Sequence, residues 1–161
     1  MKKITAVLLM ALILIFTLAA CGGSEDQGQP AAGDAVQAAA DAFVEGFDNH
    51  DLTQFDTFFA PPGDNYDMSQ TQDAAHQAVA NAAPGTTFQI DKLKIQNTQA
   101  GSHPGEVVVT YQAQVSMWDN GQATFTAVVT QDVALQQING KWLITGGDAP
   151  HIQTNEGAPT S

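Results

Sequence analysis

The stretch "PPGDNYDMS", Pro61 to Ser69, sets Asp64, Tyr66 and Asp67 within four positions of one another. A carboxylate beside a phenol can trade a proton with a substrate if one of them is drawn out of water and its pKa moves toward neutrality. His76, Tyr111 and Trp118 are the other side chains that could line such a site. The opposing reading is structural. Asp64 and Asp67 stand beside Pro61-Pro62-Gly63, where Asp favours turns through its own side chain, and Tyr66 then covers the edge of a core. His76 falls in an Ala-rich helix where it can face solvent, His103 in "GSHPG" sits at a hairpin tip, and His151 lies in a polar tail. No H-x-x-x-H, H-x-H or calcium-loop spacing occurs, so no metal is expected; "DNHD" (Asp48 to Asp51) lacks the loop spacing and its Gly and caps two helices instead. Without a nucleophile elbow or a phosphate-cradling glycine loop, no cofactor is expected either.

The single cysteine, Cys21, cannot form an internal disulfide. It follows a positive start (Met1-Lys2-Lys3) and the apolar run Ile4 to Ala20, which is interrupted only by Thr5 and Thr17. That run matches a secretory signal and is slightly short for a membrane span. Leu18-Ala19-Ala20-Cys21 resembles the lipobox of bacterial lipoproteins. The resemblance implies cleavage before Cys21, acylation (diacylglycerol, palmitate) of its thiol, and anchoring to a bilayer on the extracytoplasmic side, at the cell surface or in a periplasm. An ordinary secretory peptide with an incidental Cys is the competing reading.

The chain carries a formal charge of −12 from 17 acids and 5 Lys, with no Arg. Removing residues 1–20 as a signal peptide takes Lys2 and Lys3 with it and makes the balance more negative by two. Such a surface repels phosphate backbones, so nucleic-acid binding is excluded, and without Arg no bidentate anion clamp can form. Residues 21–33 are Gly, Gln, Pro, Ala and acid, too poor in apolar side chains to pack, and read as a flexible tether.

Residues 34–147 carry the folded pattern. Asp34 to His50 shows helical periodicity (Val36, Ala39 or Ala40, Phe43, Phe47), with Asp34 as the expected N-cap. Asp51 can cap a short helix that turns Leu52, Phe55, Phe58 and Phe59 inward, stopped by Pro61-Pro62-Gly63. A third helix runs from Ser69 or Thr71 to Ala82, with Ser69-x-x-Gln72 as a capping box and a small-residue face. The period then changes to two. Thr87 to Gln96 needs a bulge near Asp91 to keep its phase, Glu106 to Trp118 and Gln122 to Ile138 are long alternating strands, and Lys141 to Thr145 is a short one. Asn120-Gly121 and Asn139-Gly140 are hairpin signals. Residues 148–161 read as a frayed tail.

Helices first and then a curved antiparallel meander is an α+β order. Through the Phe-rich "FDNHDLTQFDTFFAP", the long hairpin-joined strands and the closing "NGKWLI", it resembles the nuclear-transport-factor-2-like (SnoaL-like, cone-shaped) superfamily. That resemblance implies helices packed in the concave face of a bent sheet and a pocket at the open end, lined here by Tyr66, His76, Tyr111 or Trp118. It embraces isomerases, dehydratases and non-catalytic binders. With no convergent acid/base set, the expected role is non-catalytic: binding a small apolar ligand or an envelope protein partner. A small lyase or isomerase using Asp64 or Asp67 with Tyr66 is the alternative. The polar, uncharged phase of the strands (Thr110, Gln112, Gln114, Ser116, Thr124, Thr126, Thr130) supports a third, a structural homodimer through the sheet face.

Overall fold

The computed structural model describes residues 29–63 and 66–154. Helix α1 spans Gln29–Asn49, α2 Thr53–Asp56 and α3 Ser69–Ala80. Strands β1 (Thr86–Ala100), β2 (Glu106–Asp119), β3 (Gln122–Ile138), β4 (Lys141–Gly147) and β5 (His151–Thr154) follow. The sheet order is β1-β2-β3-β4, all antiparallel, and β5 pairs with β3 further along the same edge as β4. The helices pack on the inner face of this curved sheet, the α+β architecture that the element order implies.

The first helix begins five residues before the expected Asp34 cap. Pro30 is tolerated there because the first-turn N–H groups have no intrahelical partner. The extra turn also buries Ala32, which extends the stripe Val36, Ala39, Phe43, Phe47 backwards at the same spacing. At its other end α1 closes in a left-handed cap. His50 has φ +56°, the Asp51 N–H donates to the Gly46 carbonyl at 2.9 Å, and the His50 N–H donates to the Phe47 carbonyl at 3.4 Å. These bonds satisfy the Gly46 and Phe47 carbonyls and turn the chain out of α1 toward α2. Gly46 makes room for this turn, because a Cβ there would meet the Asp51 carbonyl oxygen at 2.5 Å. Leu52, not Asp51, takes the N-cap position of α2 and makes no side-chain bond there; Asp51, one residue earlier, accepts at Oδ1 from the Thr53 N–H at 2.9 Å and from the Thr53 hydroxyl at 2.6 Å.

The capping box expected at Ser69 and Gln72 does not form. Met68 occupies the N-cap of α3 without a side-chain bond, and the Ser69 N–H donates instead to Asp67 Oδ1 at 2.9 Å. Gln72 reaches across to Asp56, its Nε2 3.3 Å from Oδ1. A carboxylate two residues earlier takes the donor that the box would have used.

The strands are long because they bend. Register shifts interrupt β1 between Ile90 and Lys92 and again between Ile95 and Asn97, while β3 shifts against β4 at Ala134/Leu135. The first shift sits at the expected bulge and keeps Phe88, Ile90, Leu93 and Ile95 on one face despite their change of phase. Asn120 and Asn139 adopt positive φ (+49° and +53°), each followed by a Gly at about +80°, the type I′ geometry that Asn-Gly favours. The tail is not frayed from residue 148. His151 to Thr154 pair with Thr130 to Ala127, and the half-buried Ile152 supplies the apolar contact that its polar neighbours conceal.

Candidate functional site

Alanines face each other across the middle of the domain, Ala39 and Ala40 from α1 and Ala113 from β2, and they leave the space between helix and sheet unfilled. The result is a cavity of about 120 Å³. Phe43, Phe55, Phe59 and Phe88 wall one end, and Val115, Val129, Val133 and Ile144 wall the sheet side. The rings hold one another edge-on: Phe43 lies 5.2 Å from Phe55 and 5.4 Å from Phe88 between centroids, and Phe55 lies 4.9 Å from Phe59. Rings locked in this way give an apolar site fixed walls before any ligand arrives.

Among the described lining residues only Tyr111 and Gln131 carry polar side chains, and they face each other directly across the β2–β3 ladder. The Tyr111 hydroxyl donates to Gln131 Oε1 at 2.7 Å, and Gln131 Nε2 donates to the Asp148 carbonyl at 3.1 Å. Burial pushes the Tyr111 phenol well above its ordinary pKa, so it stays protonated. The sequence pattern marks this place. Gln131 interrupts the inward phase Ala127, Val129, Val133, Leu135 with a polar residue, yet it is only 6 % exposed.

The other residues singled out from sequence are placed apart from the cavity, with Asp64 outside the described residues. Asp67 is exposed, and hydrogen bonds from the Ser69 backbone and then its side chain hold its carboxyl below the usual carboxylate range. Tyr66 is half-buried against Gly63, whose N–H donates to the Tyr66 carbonyl at 2.9 Å. His76 is exposed on α3 with Nε2 2.8 Å from Asp56 Oδ2. Trp118 lies on the sheet face away from the cavity, donating from Nε1 to Ser116 Oγ at 3.1 Å, and Ser116 donates in turn to Asp91 at 3.1 Å. This chain of bonds covers Ser116, which is buried although its strand phase reads as exposed. Of the four side chains expected to line a pocket, only Tyr111 is a lining residue of this cavity. Among the described residues no group of three or more His, Cys, Asp or Glu could hold a metal ion, and no helix is long and apolar enough to cross a membrane.

No protein-family profile matches the chain, and no curated protein matches it in sequence. Solved structures do share its fold. The intermembrane-space region of the chloroplast protein ARC6 is 13% identical with a TM-score of 0.57, over 78% of this chain and 98% of that one. A protein of unknown function with a cystatin-like fold from Nostoc punctiforme PCC 73102 is 16% identical with a TM-score of 0.50, over 78% and 92%. An NTF2-like protein of unknown function from Shewanella baltica OS155 is 15% identical over 74% and 92%, but at a TM-score of 0.37 it supports no argument. At these identities the likeness is one of fold alone.

Proposed function

We propose that this domain is a non-catalytic binder of a small apolar ligand, held at a membrane by an acylated Cys21 on the extracytoplasmic side. The observation that carries the binding half is the cavity: a pre-formed hollow walled by interlocked aromatic rings in a core that could otherwise have closed. Its lining is almost wholly apolar, so a ligand that fills it removes that surface from water and stabilises the folded chain. The exposed carboxyl of Asp67 is held by hydrogen bonds from Ser69 at the start of α3 and is a poor base at neutral pH, which favours binding over a lyase or isomerase that would use it. The anchoring half rests on the Lys2-Lys3, apolar run and Leu18-Cys21 pattern.

Toluene tests the first half. It should raise the melting temperature of the chain in a concentration-dependent way, and Ala113→Leu, which places a larger side chain in the hollow, should abolish the shift. No shift in the unsubstituted chain would overturn the binding reading. Mass spectrometry of membrane-extracted protein tests the second half: acylated Cys21 at a new N-terminus is expected, and an unmodified Cys21 would refute it.

A further inference from the structure

We infer that the cavity selects neutral monocyclic ligands that carry one hydrogen-bond donor, phenols and similar small alcohols, with Tyr111 accepting the ligand's hydroxyl proton. This rests on the binding reading above and goes further by naming the ligand class.

The direction of each hydrogen bond follows from what its partners can do. The Asp148 carbonyl can only accept, so the end of the Gln131 amide that faces it is the nitrogen. The amide oxygen therefore faces Tyr111, and the phenol must donate its only proton to it. What Tyr111 has left is an oxygen lone pair. A ligand that meets it gains a bond by donating, whereas a ketone, aldehyde or ether oxygen meets only another acceptor.

Charge and size narrow the class. Among the described residues no Lys or Arg lines the cavity, and the chain as a whole is strongly negative, so a carboxylate or phosphate would lose its hydration without a counter-charge. No described Asp or Glu lines it either, so a cation is equally uncompensated there. An apolar protein cavity of about 150 Å³ takes one benzene ring. A space of about 120 Å³ accordingly suits a single ring or a short branched chain rather than a fused polycycle.

The experiment compares three probes of one ring each, toluene, phenol and benzaldehyde, on the full chain carrying Cys21→Ser so that no acyl group is attached. Affinities come from NMR titrations followed by the ring signals of Phe43, Phe55 and Phe88, which wall the cavity and report occupancy independently of Tyr111. Phenol is expected to bind about fivefold or more tighter than benzaldehyde, the advantage of one net hydrogen bond, and to move the Tyr111 Cζ resonance where toluene does not. In Gln131→Leu the phenol proton of Tyr111 is released and can be donated to a ligand oxygen while the lone pairs remain, so benzaldehyde should gain on phenol and the preference should shrink toward parity. If Gln131→Leu does not fold, the two unsubstituted-chain readouts decide alone. Binding of toluene with phenol and benzaldehyde equal to each other, or with an unmoved Tyr111 signal on phenol binding, overturns the donor rule and leaves the apolar-binding reading intact. Failure of all three probes to bind overturns both.

Discussion

Replacing Ala39 by Leu should stabilise the ligand-free chain while destroying its site, the reverse of what most core substitutions do. Ala39 is 4 % exposed and its methyl faces the cavity from α1, where Leu is nearly as good a helix former as Ala. Two routes give the magnitude. An enclosed void of about 120 Å³ at about 24 cal/mol per Å³ would cost roughly 3 kcal/mol, an upper bound on what filling this partly open hollow recovers. The three added carbons, at about 0.8 kcal/mol each, contribute about 2.4 kcal/mol of transfer free energy. Ordering a Leu side chain costs about 0.5–1 kcal/mol, leaving a net gain near 1.5 kcal/mol. For a domain of this size that raises the melting temperature by about 6 °C. Urea titration with a two-state fit, together with calorimetry, measures the gain, and toluene should then produce no shift. Ala39→Leu with Ala113→Leu would overfill the same space, so the double variant should fall short of the sum of the singles. If both single variants lost more than about 1 kcal/mol, the hollow would not be available to a side chain, and the argument for a ligand would go with it.

Gly46→Ala should cost about 1–3 kcal/mol in the same titration, since the clash with the Asp51 carbonyl outweighs a helix-propensity gain of about 1 kcal/mol; a neutral result would show that the turn into α2 yields. His50→Gly should stabilise by about 0.5–1 kcal/mol by relieving a side chain held at φ +56°, and a loss would mean that the imidazole makes contacts of its own. Because burial raises the Tyr111 pKa in the folded chain, its contribution to stability is present below the unfolded value of 10.0 and is lost as pH rises above it. Urea midpoints should therefore fall above about pH 10, and Tyr111→Phe should flatten that fall. The lowered pKa values of Asp51 and Asp67 act with the opposite sign: their contribution is present above 3.8 and is lost as pH falls through it, so Asp67→Asn should blunt the acid limb of the same profile.

Periodicity and turn chemistry alone determined much of this protein. The 3.6-residue stripe of α1, the two Asn-Gly turns and the alternation of β2 and β3 are local signals, and each was legible because one element states it within a dozen residues. Even the bulge at Asp91 was legible, because Phe88–Ile90 and Leu93–Ile95 cannot share a face without it. What stayed hidden depends on residues far apart in the chain. The Ser69 cap lost its donor to Asp67, and Ile152 became a strand residue only because β3 overruns β4 and leaves an open edge for it. The site is the clearest case. Asp64, Tyr66 and Asp67 stood out by their chemistry, but a turn with its own hydrogen bonds commits Asp67 to the Ser69 N–H. The cavity instead comes from alanines at 39 and 113, which carry no chemical signal, meeting across a helix–sheet gap that Phe43, Phe55 and Phe88 hold open. Volume that is missing belongs to no single residue. Gln131 was the one trace of it in the sequence, a polar side chain in an apolar phase, and only the pairing of β2 with β3 shows that it answers Tyr111.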